Sequence, residues 1–129
     1  MRVEQRKGPA VVIEEDEEFK KIDYVKVPLL KSAFRKDKGT VTAANSSTIN
    51  DGASAVLLMG LSEATKRDIK PLAEILSYAD AETDPREFTI APSLAIPIAL
   101  ERAGLTKDQV DLWEINEAFS VVVLANQKV

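Results

Sequence analysis

The sequence predicts an α/β fold in which strands and helices alternate, and three features point to it. Apolar runs of strand length, Ala53–Met59, Leu72–Tyr78 and Val110–Ile115, alternate with segments of helical spacing, Leu94–Ala103 and Ala118–Asn126. Turn and cap residues fall between them. Apolar residues make up 45% of the chain but aromatic ones only 5%, so the core must be mostly Ala, Val, Ile and Leu. Strand, helix, strand, helix at this spacing favours a parallel sheet joined by right-handed crossovers.

In chain order, Pro9–Ile13 reads as a short strand. The acidic run Glu14–Glu18 closes it and reads as a solvated face. Phe19–Phe34 is amphipathic, but Pro28 interrupts any long helix, leaving a surface segment pinned by Phe19, Tyr24, Leu29, Leu30 and Phe34. Lys38-Gly39 marks a turn, as does Asn50-Asp51-Gly52, whose residue types tolerate positive φ. Ala53–Met59 reads as a buried strand, and Ser62 as the cap of a short helix through Thr65–Arg67. Gly104 stops the Leu94–Ala103 helix. Pro97 lies where that helix should already be running, so the helix either starts there or kinks there. Thr106 and Gln109 have capping-box spacing. A parallel sheet needs cover on both faces. The chain offers few helices for its strands, so the layered fold is incomplete.

Composition excludes more than it specifies. With 129 residues and 29% charged side chains the chain resembles an ordinary globular domain. There is no cysteine and no histidine. That removes disulfides, thiolate nucleophiles and the commonest general base and metal ligand together. A net charge of −4 argues against a nucleic-acid partner, and no apolar run has the length of a membrane span. Met1–Gly8 carries Arg2, Arg6 and Lys7 without an apolar stretch, unlike a secretory signal. Both ends read as cut points.

Two segments could carry chemistry. Thr42–Ala53 is rich in small and hydroxyl residues, which allow close approach to backbone and supply hydrogen bonds. Asn116-Glu-Ala-Phe119 falls between a strand and a helix, where open α/β sheets bind ligands at strand carboxyl ends. Each segment alone reads more readily as structure: a tight turn in the first case, a helix N-cap at Asn116 in the second. By composition, Phe88 and Phe119 suit a core, Tyr24 and Trp113 suit packing, and Lys21 and Lys26 suit solvent.

Together and in this order, the two segments resemble the signatures of the thiolases, which transfer acyl groups between coenzyme A thioesters. Pro71-Leu-Ala-Glu-Ile, Ala91-Pro92 and Ala103-Gly104-Leu105 extend the resemblance from about Val11 to Ala125, most closely to the mitochondrial acetoacetyl-CoA branch. The resemblance implies a layered α/β fold of two similar halves. Residues 1–38 would end the loop region, 39–70 would end the N-terminal half and 71–129 would begin the C-terminal half. It implies acetyl-CoA and acetoacetyl-CoA as substrates and an assembly of two or four subunits. Residence would be mitochondrial, or otherwise cytoplasmic. The family's catalytic cysteines and histidine would lie outside this segment, so the chain alone would be inactive, and Gln127-Lys128-Val129 departs from the family as a truncated gene model would. The alternatives are a non-catalytic coenzyme A-binding or interaction fragment, and an unfolded gene product.

Site roles carry over residue by residue. Ser47 matches a serine that bonds the pantetheine arm. Lys21, Ile22 and Asp23 match the segment flanking the adenine, with Lys21 replacing an arginine whose planar group would stack better. Lys26 matches a lysine near the coenzyme A phosphates, and Phe88 a wall of the acyl pocket. Asn116 matches the asparagine that holds an oxyanion-hole water, with Glu117 orienting its neighbours. Ala43, Ala44 and Ser46 match backbone carbonyls that hold potassium, an ion suited to hard oxygen donors.

Overall fold

The computed structural model describes residues 1–128; Val129, in the ending that departs from the family, lies outside the described residues. Two compact units divide the chain, Met1–Ala44 and Asn45–Val129.

In the first unit, β1 (Arg2–Val3) pairs antiparallel with β2 (Val11–Val12), in the register Arg2 to Val12 and Val3 to Val11. The Ile13 amide donates to the Met1 carbonyl at 2.7 Å, extending the pairing by one step. The strand expected at Pro9–Ile13 therefore forms, but only two of its residues lie in the ladder. Glu14–Glu18 is exposed, as its charge requires. Single 3₁₀ turns follow at Glu18–Lys21 and Val27–Leu29. Pro28 enters the first turn of the second, where a missing N–H costs little. The five side chains expected to pin this segment do not: Phe19, Tyr24, Leu29, Leu30 and Phe34 are all exposed. The turns are too short to lay an apolar stripe against a neighbour. The Lys38-Gly39 turn is present, with Lys38 at φ 54°. A side chain at Gly39 would run into the Arg35 carbonyl and the Ser32 hydroxyl, so only glycine fits.

The second unit carries the helices: α1 (Leu61–Lys66), α2 (Ala91–Ala103) and α3 (Ser120–Asn126). Gly60, not Ser62, caps α1, because the Gly60 carbonyl already accepts the amides of Glu63 and Ala64 at 3.0 and 3.1 Å. Helix α2 begins at Ala91, three residues before the expected start, and runs through Pro97, which cannot donate to the Ser93 carbonyl. Its end is as read: Gly104 adopts the left-handed conformation, φ 66°, and the Leu105 amide reaches back to the Leu100 carbonyl at 3.0 Å. The Thr106–Gln109 capping box also forms, with the Thr106 amide 2.8 Å from Gln109 Oε1.

The expected strands fare differently. Ala53–Met59, Leu72–Tyr78 and Val110–Ile115 have no ladder partner, and β1 with β2 is the only sheet among the described residues. Ala53–Met59 is exposed throughout, not buried. Apolar patterning marks a segment that can pair, but pairing needs a neighbour in register to take its N–H and C=O groups. No described strand pairs with any of these three. Asn50-Asp51-Gly52 forms no turn either, and none of the three has positive φ. Its turn signal has no partner strand to return toward. Side chains fasten Leu72–Tyr78 instead: Ser77 Oγ donates to the Ala99 carbonyl at 2.6 Å, and Arg102 Nη1 to the Tyr78 carbonyl at 2.7 Å.

Ala64 and Val122 are the only buried hydrophobic residues among those described. Two such side chains contribute only a few kcal/mol, about 1.5–3 for a valine and less for an alanine. The purified 129-residue chain should therefore melt broadly and self-associate. Leu57→Lys with Leu58→Glu should raise its solubility by removing apolar surface from an unpaired edge. A sharp, cooperative thermal transition from a soluble monomer, followed by circular dichroism, would contradict this.

Candidate functional site

In the second unit the site assembles around Phe119. Residues Ser46 and Phe119 form an isolated antiparallel bridge, and the Ser47 amide donates to the Ala118 carbonyl at 2.9 Å. The two chemistry-bearing segments of the sequence thus lie side by side through their main chains. The bridge also moves the start of α3. Ala118 and Phe119 were read as helical, but Phe119 is extended, φ −138° and ψ 143°, and serves as the N-cap. The helix starts at Ser120, which leaves Asn116 upstream of the cap position. The N-cap reading of Asn116 is overturned.

The Phe119 ring meets Phe88 edge to face, centroids 5.8 Å apart at 61°. Such pairs contribute about 0.5–1.5 kcal/mol beyond simple burial. Phe88 rides on a 3₁₀ turn, Pro85–Ile90, whose N-cap Asp84 accepts the Arg86 amide at 2.9 Å. Phe88 remains 45% exposed, so it is a surface residue and not a core residue. Ser47, Asn116 and Glu117 are also exposed, and the side chains of Asn116 and Glu117 engage no partner among the described residues. Ser47, Phe88 and Asn116 are therefore each tied to the stretch Asn116–Phe119, by backbone, ring and sequence respectively.

Lys21, Ile22, Asp23 and Lys26 belong to the first unit, all exposed. Each cation already has a local carboxylate. Lys21 Nζ bonds Glu18, and that hydrogen bond, reinforced by the Glu18 charge, raises the ammonium's pKa. Lys26 Nζ lies 2.9 Å from Asp23, whose carboxyl is lowered chiefly by that contact. Asp23 also accepts the Val25 amide at 3.1 Å. Ala43 and Ala44 sit in a 3₁₀ turn, Ala43–Asn45, and are exposed. Carbonyl oxygens of that kind are hard, neutral donors that suit potassium. No group of His, Cys, Asp or Glu side chains suited to a metal occurs among the described residues.

A cleft of about 560 Å³ opens elsewhere in the second unit, walled by Ile96, Pro97 and Leu100 of α2, Trp113, and Val123 and Asn126 of α3. It includes none of the residues singled out for chemistry. Sequence reading passed over Asn126. Its only signal was an amide at the end of an apolar helical run.

The family model of the thiolase N-terminal domain matches residues 1–62, and that of the C-terminal domain matches residues 69–129. The chain belongs to the thiolase family. This thiolase chain is 55% identical, over 98% of its length, to mitochondrial acetyl-CoA acetyltransferase A of Xenopus laevis, and 57% identical over 93% to the mitochondrial enzyme of Rattus norvegicus. Among solved structures it is similar to the acetyl-CoA acetyltransferase of Bacillus anthracis, at 40% identity and a TM-score of 0.86 over 98% of this chain and 32% of that one. It is also similar to the Acat5 thiolase of Ascaris suum in complex with coenzyme A, at 47% identity and a TM-score of 0.78 over 90% of this chain and 31% of that one. The thiolase chain spans about 30% of the length of the curated relatives it matches. The α/β fold class read from the sequence is borne out as a partial thiolase fold.

The Lys26–Asp23 pair gives a pH prediction. A lowered carboxyl keeps its pair intact above the ordinary aspartate range, near 3.9, and loses it only as pH falls through Asp23's own lower value. Carbon-detected NMR titration should find Asp23 titrating below the ordinary aspartate range, and Lys26→Ala should raise it toward that range. An Asp23 midpoint that does not move in Lys26→Ala would refute the pairing.

Proposed function

We propose that this chain is the middle portion of an acetyl-CoA C-acetyltransferase, which condenses two acetyl-CoA to acetoacetyl-CoA or cleaves the product by thiolysis. The pairing of Ser46-Ser47 with Ala118-Phe119 carries the reading. It joins the serine segment expected to hold the pantetheine arm to the asparagine segment expected at the oxyanion hole. Support also comes from the names of the relatives, which are mitochondrial acetyl-CoA acetyltransferases, and from the coenzyme A in the Ascaris suum thiolase complex.

In this reading Ser47 bonds the pantetheine arm, Lys21, Ile22 and Asp23 flank the adenine, and Lys26 attracts the phosphates. Lys26 would exchange Asp23 for a phosphate of higher charge. Asn116 orients a water toward the developing thioester oxyanion, and Glu117 shapes the loop around it. Phe88 forms a wall beside the acyl group. The carbonyls of Ala43, Ala44 and Ser46 would contribute to a potassium site. Residues 1–38, 39–70 and 71–129 correspond to the loop region, the end of the first half and the start of the second. The setting is mitochondrial fatty-acid and ketone-body metabolism, in a homo-oligomer.

The nucleophile and acid/base come from outside these residues, since the chain has no Cys or His. The 129-residue chain alone should give no thiolysis of acetoacetyl-CoA above a protein-free control. Those absences and the two-residue core also favour a second reading, a non-catalytic fragment. A chimera separates the two. In the rat enzyme, this chain replaces the 120-residue stretch it matches. The chimera should retain thiolysis; a folded, inactive chimera would defeat the catalytic reading.

Two substitutions in that chimera test the site. Asn116→Asp would place a negative charge beside the oxyanion and should lower kcat by about 10²–10³. Its Tm should stay nearly unchanged, because Asn116 caps no helix. Full activity in a charged variant would remove Asn116 from the chemistry. Phe88→Ala should change the kcat/KM ratio for branched against straight acyl-CoA by about 10–200-fold, the range for a methylene in an apolar pocket. An unchanged ratio would leave Phe88 as a packing residue.

A further inference from the structure

Asn126 belongs to none of the motifs, yet it holds the turn that carries Phe88. Its Nδ2 donates to the carbonyl of Thr89, 37 residues earlier, at 2.7 Å, and to the Val122 carbonyl one helical turn back, also at 2.7 Å. Both partners are pure acceptors, so the amide nitrogen must face them and the group's orientation is fixed by chemistry. That orientation leaves Oδ1 buried without a partner, an unfavourable arrangement that the two donated bonds must offset. A simple helix-end role explains the Val122 bond. It does not explain the bond to Thr89.

The other end of α3 grips the same turn. Phe119, the N-cap of α3, packs its ring on Phe88, while Asn126, the last residue of α3, binds the carbonyl immediately after Phe88. The turn Pro85–Ile90 is thus clamped at both ends of one helix. Phe88 needs such a clamp because, at 45% exposure, burial alone does not fix its ring.

We infer that Asn126 is a positioning residue for Phe88: through the Thr89 carbonyl it holds the ring against Phe119 and so sets which acyl branches fit beside it. This rests on the thiolase reading of Phe88. Asn126 itself touches no substrate.

The rat-enzyme chimera tests it with Asn126→Ala, and with Asn126→Ser as a milder variant should the first fail to fold. The Glu87 amide bonds Asp84 and the Ala91 amide bonds Phe88 inside the turn. Their hydrogen exchange should quicken by about tenfold, as expected for losing roughly one hydrogen bond of restraint. The branched-to-straight kcat/KM ratio should shift in the direction of Phe88→Ala, and the double variant should shift it no further. Asn126→Gln, which keeps the donor, should recover part of the ratio. Faster exchange with an unmoved ratio, while Phe88→Ala moves it, overturns the inference. Unchanged exchange at Glu87 and Ala91 overturns it as well. A ratio that neither Phe88→Ala nor Asn126→Ala moves overturns the pocket reading of Phe88 and the inference with it.

Discussion

The second unit depends on one short piece of backbone pairing, Ser46 with Phe119 and the Ser47 amide with the Ala118 carbonyl. Because Phe119 is held extended, helix α3 cannot start before Ser120. Because it is held there, its ring faces Phe88. The same restraint keeps Asn116 out of the capping role that its sequence position suggested. A pairing of two residues is weak in isolation, so its persistence relies on what surrounds it. The ring pair and the Asn126 bonds to Thr89 and Val122 supply that support.

Local signals in the sequence were legible where the physics is local. Gly104 ends α2 because a left-handed residue must accept that geometry, and the Thr106–Gln109 box closes because both partners lie within three residues. Gly39 sits in its turn because no Cβ fits. Signals that needed a distant partner were not legible. Ala53–Met59 has the pattern of a buried strand, yet its partners are not among the described residues, and pattern alone cannot supply them. The site follows the same division. Proximity of Ser47 to the Asn116–Phe119 segment was implied by family resemblance and not by spacing. The role of Asn126 has no local signal, because its partner is 37 residues away in sequence.

The absence of Cys and His sets the chemical character of what remains. In the proposed reading the chain's residues hold, orient or shape a substrate. None donates electrons to a carbonyl. Lys21 and Lys26 of the first unit each sit beside a carboxylate, Glu18 and Asp23. The second unit brings the Ser46-Ser47 backbone and the Phe88 ring onto the stretch that begins at Asn116.

Pro97 gives α2 a mechanical character that its length conceals. The helix lacks one rung, from residue 97 to the Ser93 carbonyl. Beyond that gap, the Ala99 carbonyl and the Arg102 guanidinium moor the segment Leu72–Tyr78 at Ser77 and Tyr78. Before it, Ser93 Oγ bonds the Ile90 carbonyl at the end of the Phe88 turn. The helix is a jointed rod with one load on each arm. A helix missing that rung bends most readily at Pro97, and that point separates the residues that hold Leu72–Tyr78 from the residue that holds the Phe88 turn.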